Sequence, residues 1–252
     1  MKRAASFYRT AVGKKAVMAV TGIVFWGYVL LHMLGNLKIL TGGEALNHYA
    51  EWLREMAAPA VPHSGVLWLV RIVLLTALVL HVHATYTLTL MNRRARPVGY
   101  RRRHVVQAGW AERTMRWSGV AILLFVIYHI LHLTTGTAHQ DFVAGDVFHN
   151  MTAAFETWWV TLIYVLAATM VGMHLYHGLW SLFQSLGWNH PKYNPWRRVF
   201  AVAFSFLIGL GFALPPFLIL IGVIQPEPAA AVSSPALAEI VHAGQVVETT
   251  QH

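Results

Sequence analysis

The sequence predicts an all-α, polytopic membrane protein with five transmembrane helices, its N-terminus cytoplasmic and its C-terminus outside. Three observations carry that expectation. Five apolar stretches are each long enough to span a hydrocarbon core of about 30 Å, which takes about 20 helical residues. Only 12% of the 252 residues are charged and 56% are hydrophobic, whereas a soluble domain carries about 25% charge. Lys and Arg also collect on alternate connections between the apolar stretches.

The first stretch, 16–40, follows a basic start (Lys2, Arg3, Arg9, Lys14, Lys15). It is too long for a removed signal peptide and lacks a small-residue cleavage site. A short amphipathic helix is expected in 46–56. The second span covers 66–91 and the third 115–136, with an arginine-rich connection between them. The fourth covers 157–186, and the fifth, 197–224, contains Pro215-Pro216 as an expected kink. No period of 20–50 residues repeats and no linker divides the chain. Residues 1–224 therefore read as one domain, and 225–252, rich in Pro, Ala, Ser and Val, as a loosely ordered outer tail.

Charge sets the orientation. Sixteen of the 19 Lys and Arg lie before the first span, between the second and third, or between the fourth and fifth. Lys38, Arg54 and Arg71 belong to the other side, with every acidic residue except Glu112. The positive-inside bias then makes the basic side cytoplasmic. A topology signal explains these arginines, and docking of a cytoplasmic partner would also suit them. Nucleic acid is not expected.

The chain has 15 histidines and no cysteine. The missing thiols exclude disulfides, Cys-ligated iron–sulfur clusters and a thioether-attached haem on this chain. Seven histidines lie inside spans: His32, His81, His83, His129, His132, His174 and His177. Ionisable residues in a membrane are costly and default to function, although any single one can be satisfied by a neighbouring helix.

Helical rise gives each a depth. His32 and His129 lie roughly 24 and 21 Å from the cytoplasmic ends of their helices, at about 1.5 Å per residue. His81 and His174 lie roughly 16 and 18 Å from theirs on the same rise. Two pairs at two levels result, each drawn from two helices. That is the arrangement bis-histidine haem requires, with one neutral imidazole on each face of the iron and no open position.

Small residues fit the same picture. Gly22 precedes His32 by ten residues, and Gly119 precedes His129 by ten. Ten residues is about 15 Å, so each glycine sits near the inner level while its histidine serves the outer one. A glycine there lets a porphyrin face approach the backbone, although membrane glycines also serve helix packing. His83, His132 and His177 have two readings, contact with haem propionates or quinone, or a hydrogen bond to a carbonyl. Arg71 is placed to neutralise propionates of the outer haem; Lys38 could do so or snorkel to the interface.

Four motifs in order resemble a known family, the single-chain di-haem cytochrome b anchor of succinate dehydrogenases and fumarate reductases. They are Thr21-Gly22 with His32-Met33; His81 with Asn92-Arg-Arg-Ala-Arg-Pro97 and Tyr100; Met115-Arg-Trp-Ser-Gly119 with His129 and His132; and His174-Leu-Tyr-His-Gly178 with Gly187-Trp188. The resemblance implies His81 and His174 as ligands of a proximal haem, and His32 and His129 as ligands of a distal one. The family spacings to Asn92 and to Gly187-Trp188 favour His81 over His83 and His174 over His177. It further implies two non-covalent haem b, with flavin (FAD) and iron–sulfur clusters only on partner subunits at the cytoplasmic side. Electrons would pass to a quinone, typically menaquinone, in a bacterial inner membrane and within a complex able to form higher oligomers. One departure stands out: some fumarate-reducing relatives carry a proton-path glutamate where this chain has Gly172.

A quinone pocket is not legible. His48, Tyr49 and Glu51 are candidate proton donors near the distal haem, or simply residues of a surface helix. Two other classes use membrane histidines. A non-haem di-iron oxidase would need clustered HxxxH and HxxHH boxes near one face. A histidine-relay proton transporter would want broken helices and mid-membrane acids, and these spans hold no acid.

Overall fold

The computed structural model describes residues 6–95 and 108–226. Arg96, Tyr100, Arg101, Arg102, Arg103 and tail residues 227–252 fall outside the described residues.

Five helices are long and apolar enough to cross a membrane, and no strand occurs among the described residues. Helix α1, Ala11–Asn36, begins at Thr10, whose side chain accepts from Gly13 N–H at 2.9 Å. This N-cap starts the helix five residues before the apolar run, because capping depends on a hydroxyl and not on hydrophobicity. A tighter 3-10 turn, Leu37–Thr41, leads through Gly42 (φ 112°) into α2, Gly43–Glu55. That helix is the expected amphipathic segment, one turn longer at its start.

Helix α3, Gly65–Arg94, crosses back, and α4, Ala108–His129, crosses again. Helix α4 runs into a π-helical turn, Ile130–Thr134, in which Thr135 N–H reaches back to Ile130 O at 2.9 Å. The turn was not expected from periodicity. A nine-residue helix, α5, Val147–Phe155, follows; Asp146 caps it by accepting from His149 N–H at 2.9 Å. Helix α6 is Trp158–Ser185 and α7 is Asn194–Leu220. Pro215 and Pro216 lie inside α7 and are buried; the helix continues through them. It stops before the expected 224 because Gly222 (φ 75°) turns the chain left-handed, and Val223 N–H folds back to Leu218 O.

Helices α6 and α7 form the most extensive pair, α1 packs along α3, α4 packs along α6, and α1 touches α6. Around the bundle the order is therefore α3, α1, α6, α4, with α1/α4 and α3/α6 facing each other diagonally. The densest apolar packing lies away from the N-terminal face. There α2, α5 and the ends of α6 and α7 bury Leu46, Phe148, Met151, Phe155, Tyr164 and Ile219. Most remaining apolar side chains point outward, as a lipid-facing surface requires.

Candidate functional site

The four histidines of the two expected pairs come from α1, α3, α4 and α6, the four helices around the central space. His32 and His129 face each other across the α1/α4 diagonal, with ring centres 5.8 Å apart and planes at 77°. His32 stacks on Tyr28 at 5.3 Å and touches Phe212; His129 stacks on Phe125 at 5.8 Å. His81 and His174 lie across the α3/α6 diagonal, within electrostatic reach of each other.

Both members of the second pair are held by hydroxyls. Thr21 Oγ1 of α1 lies 2.9 Å from His81 Nδ1, and Ser118 Oγ of α4 lies 3.2 Å from His174 Nδ1. Thr21-Gly22 and Ser118-Gly119 therefore sit at the level of His81 and His174, as the ten-residue offset predicts. A Cβ on Gly22 would meet nothing within 4 Å; one on Gly119 would meet only the His174 ring, at 3.5 Å. Gly119 faces the His174 ring, and Gly22 has open space beside its Cα.

Haem fits these residues. Two metal–nitrogen bonds of about 2 Å, with about 1 Å from each nitrogen to its ring centre, need imidazole centres about 6 Å apart. The His32–His129 separation of 5.8 Å meets that requirement. Open glycine faces at the other level supply the clearance a flat macrocycle needs.

The remaining intramembrane histidines turn elsewhere. His83 is exposed and its Nδ1 lies 2.6 Å from Tyr8 Oη. His177 Nε2 meets Thr114 Oγ1 at 3.2 Å. His132 is 4% exposed and stacks between Tyr128 and His139 at 5.0 and 4.9 Å. Its Nδ1 lies 3.0 Å from Tyr164 Oη, which is also 3.4 Å from His129 Nδ1.

Tyr164 is the residue that sequence reasoning missed, and a signal for it exists. Ten residues back from His174 is Tyr164, just as ten back from His32 and His129 are Gly22 and Gly119. The same count from His81 reaches Arg71. Its charge is felt by Tyr28, the ring stacked on His32, while its exposed guanidinium lies over Trp68 at 4.9 Å. The offset thus marks the opposite level on all four helices.

The three loop candidates separate. His48 lines a shallow cavity with Thr41, Gly42, Gly43, Glu44 and Ala45. The Tyr49 ring covers Gly35 of α1 and carries the Lys38 ammonium over its face at 5.2 Å. Glu51 is exposed and paired with Arg54 at 2.7 Å and His63 at 3.5 Å. The hydrogen bond from Arg54, followed by that from His63, holds its carboxyl below the usual carboxylate range.

Residues 92–213 match the protein family described as the succinate dehydrogenase/fumarate reductase transmembrane subunit. Over these residues, just under half of its length, the chain is similar to that family. The matched segment runs from the end of α3 through most of α7 and includes His129 and His174; His32 and His81 precede it. No curated protein and no solved structure matches the chain. Similarity to a transmembrane subunit agrees with the five helices long and apolar enough to cross a membrane.

Proposed function

We propose that this chain is a di-haem cytochrome b anchor that hands electrons from an iron–sulfur subunit to a quinone, with menaquinone the expected acceptor. The observation that carries the reading is the pairing of four imidazoles at two levels, His32 with His129 and His81 with His174. Haem, when bound, supplies a one-electron carrier at each level. The chain's own part is to hold each imidazole neutral and turned inward, to leave room beside Gly22 and Gly119, and to exclude water with the lipid-facing helices.

Among the described residues no three His, Cys, Asp or Glu side chains gather where they could hold a metal ion. A di-iron oxidase would need such a cluster, whereas porphyrin nitrogens leave only two positions for the protein to fill. The basic residues of the N-terminal face, Arg93, Arg94, Arg116, Lys192 and Arg198, suit docking of the iron–sulfur subunit. That face is then cytoplasmic, in a bacterial inner membrane, with the flavoprotein beyond. His48, Tyr49 and Glu51 belong to the opposite face, where a quinone could exchange protons near the distal pair.

The test is an absorption spectrum of the purified chain, oxidised and dithionite-reduced. A b-type spectrum with about two haems per chain is expected; a colourless protein overturns the reading.

A further inference from the structure

Three of the four paired histidines have a hydroxyl at Nδ1, and each hydroxyl comes from a different helix than the histidine it meets. Thr21 of α1 meets His81 of α3, Ser118 of α4 meets His174 of α6, and Tyr164 of α6 meets His129 of α4. A hydroxyl has a single hydrogen, so where that hydrogen goes decides what the imidazole must do.

For Thr21 and Ser118 the answer lies within their own helices. Thr21 Oγ1 donates to Val17 O at 2.7 Å, and Ser118 Oγ donates to Met115 O at 3.1 Å. Each oxygen is then left to accept, and the imidazole Nδ1 must carry the proton. Carbonyl oxygens of Met18 and Met115 also lie beside His81 and His174, and a carbonyl can only accept. With Nδ1 protonated in a neutral imidazole, the lone pair is on Nε2.

Tyr164 stands between two imidazoles, 3.0 Å from His132 Nδ1 and 3.4 Å from His129 Nδ1. It can donate to one and accept from the other. Donation to the nearer, His132, makes its oxygen the acceptor for His129 Nδ1–H, which again leaves Nε2 of His129 with the lone pair. His129 and His132 stand three residues apart, on one side of α4 where it runs into the π-helical turn, and share one hydroxyl. Among the described residues no hydroxyl meets His32, which is held instead by the rings of Tyr28 and Phe212.

We propose that Thr21, Ser118 and Tyr164 are positioning residues, each fixing one histidine in the tautomer that presents Nε2 to the central space. Thr21 and Ser118 serve one haem level and Tyr164 the other. An imidazole that donates its Nδ1–H is a more basic ligand and favours the oxidised iron. Removing the acceptor therefore raises the midpoint potential of the haem at that level and leaves the other unmoved. The proposal rests on the haem reading above.

The experiment uses the full chain expressed with its native partner subunits. Thr21→Val, Ser118→Ala and Tyr164→Phe each remove a hydroxyl with little change of shape. Thr169→Val is the control, because Thr169 is an exposed α6 threonine bonded to Val165 O. Redox titration and low-spin EPR follow each haem separately. Thr21→Val and Ser118→Ala should raise the potential and shift the EPR signal of the same haem, and Tyr164→Phe those of the other. Thr21→Ser and Ser118→Thr should restore the unsubstituted values. Two haems with unmoved potentials and signals overturn the proposal, as do shifts that all fall on one haem. Haem loss rescued by the hydroxyl-bearing variants supports it, and loss that they do not rescue counts against it. Absence of haem from the unsubstituted complex would instead overturn the haem reading itself.

Discussion

Gly172 of α6 lies against Gly209 of α7, close enough that a Cβ on Gly172 would stand 3.6 Å from the Gly209 Cα and 3.0 Å from the Ser205 carbonyl oxygen. Ala168 and Gly172 on one helix and Ser205 and Gly209 on the other repeat a small residue every fourth position, the pattern that lets membrane helices approach closely. Gly172 stands where some fumarate-reducing relatives carry a glutamate. In this chain the position belongs to the helix seam.

A glutamate there should be rejected on steric grounds. Gly172→Glu forces α6 from α7 and is expected to destabilise the bundle by about 1–3 kcal/mol or more. Thermal unfolding of the detergent-solubilised complex checks this. Unchanged stability would mean that the seam can open without cost.

Single histidine removals should divide the haem. His32→Ala and His81→Ala are each expected to lose one haem and keep the other, because their partners lie on different diagonals. Haem content by pyridine haemochrome, normalised to protein, should fall by half in each. If both variants retain the full amount, the ligand assignment is wrong.

The membrane face away from the N-terminus is tied by one asparagine. Asn47 Nδ2 donates to Asp146 Oδ1 at 2.9 Å, and Asn47 Oδ1 accepts from Phe148 N–H at 3.0 Å, joining α2 to the start of α5. Asp146→Ala removes this partner and the α5 N-cap together, for which about 1–3 kcal/mol is expected. Hydrogen exchange across 146–155 should speed up, while α6 and α7 stay protected. Equal exchange in both proteins would contradict this account.

Glu51 should make stability depend on pH in one direction. Its carboxyl is depressed by Arg54 and then His63, so its stabilising effect is present above the unfolded carboxylate pKa. The effect is lost as pH falls through the lower folded value. Glu51→Gln should therefore unfold slightly earlier than the unsubstituted protein at pH 6, and the gap should close in strong acid. Melting curves across that range test it; a gap that widens on acidification contradicts the pairing.

Much of the site is legible in the chain because the relevant distances run along helices. A ten-residue offset is about 15 Å wherever the helix points. It puts Thr21-Gly22 and Ser118-Gly119 at the level of the His81–His174 pair without any knowledge of packing. The same offset on α6 reaches Tyr164. Its meaning is hidden, because a tyrosine in an apolar span reads as packing. Helix α5 and the π-helical turn were illegible for another reason. Nine residues and one extra residue are too short to impose a period on the sequence.

The sequence by itself determined the five long apolar helices and the position of each histidine along its helix, since length and rise belong to contiguous residues. Only the tertiary structure decided which hydroxyl meets which imidazole, why Tyr164 is shared by His129 and His132, and why position 172 is closed by α7. Those contacts depend on how helices rotate and lean against one another, and residues 60 apart in the chain, such as Thr21 and His81, carry no local trace of it.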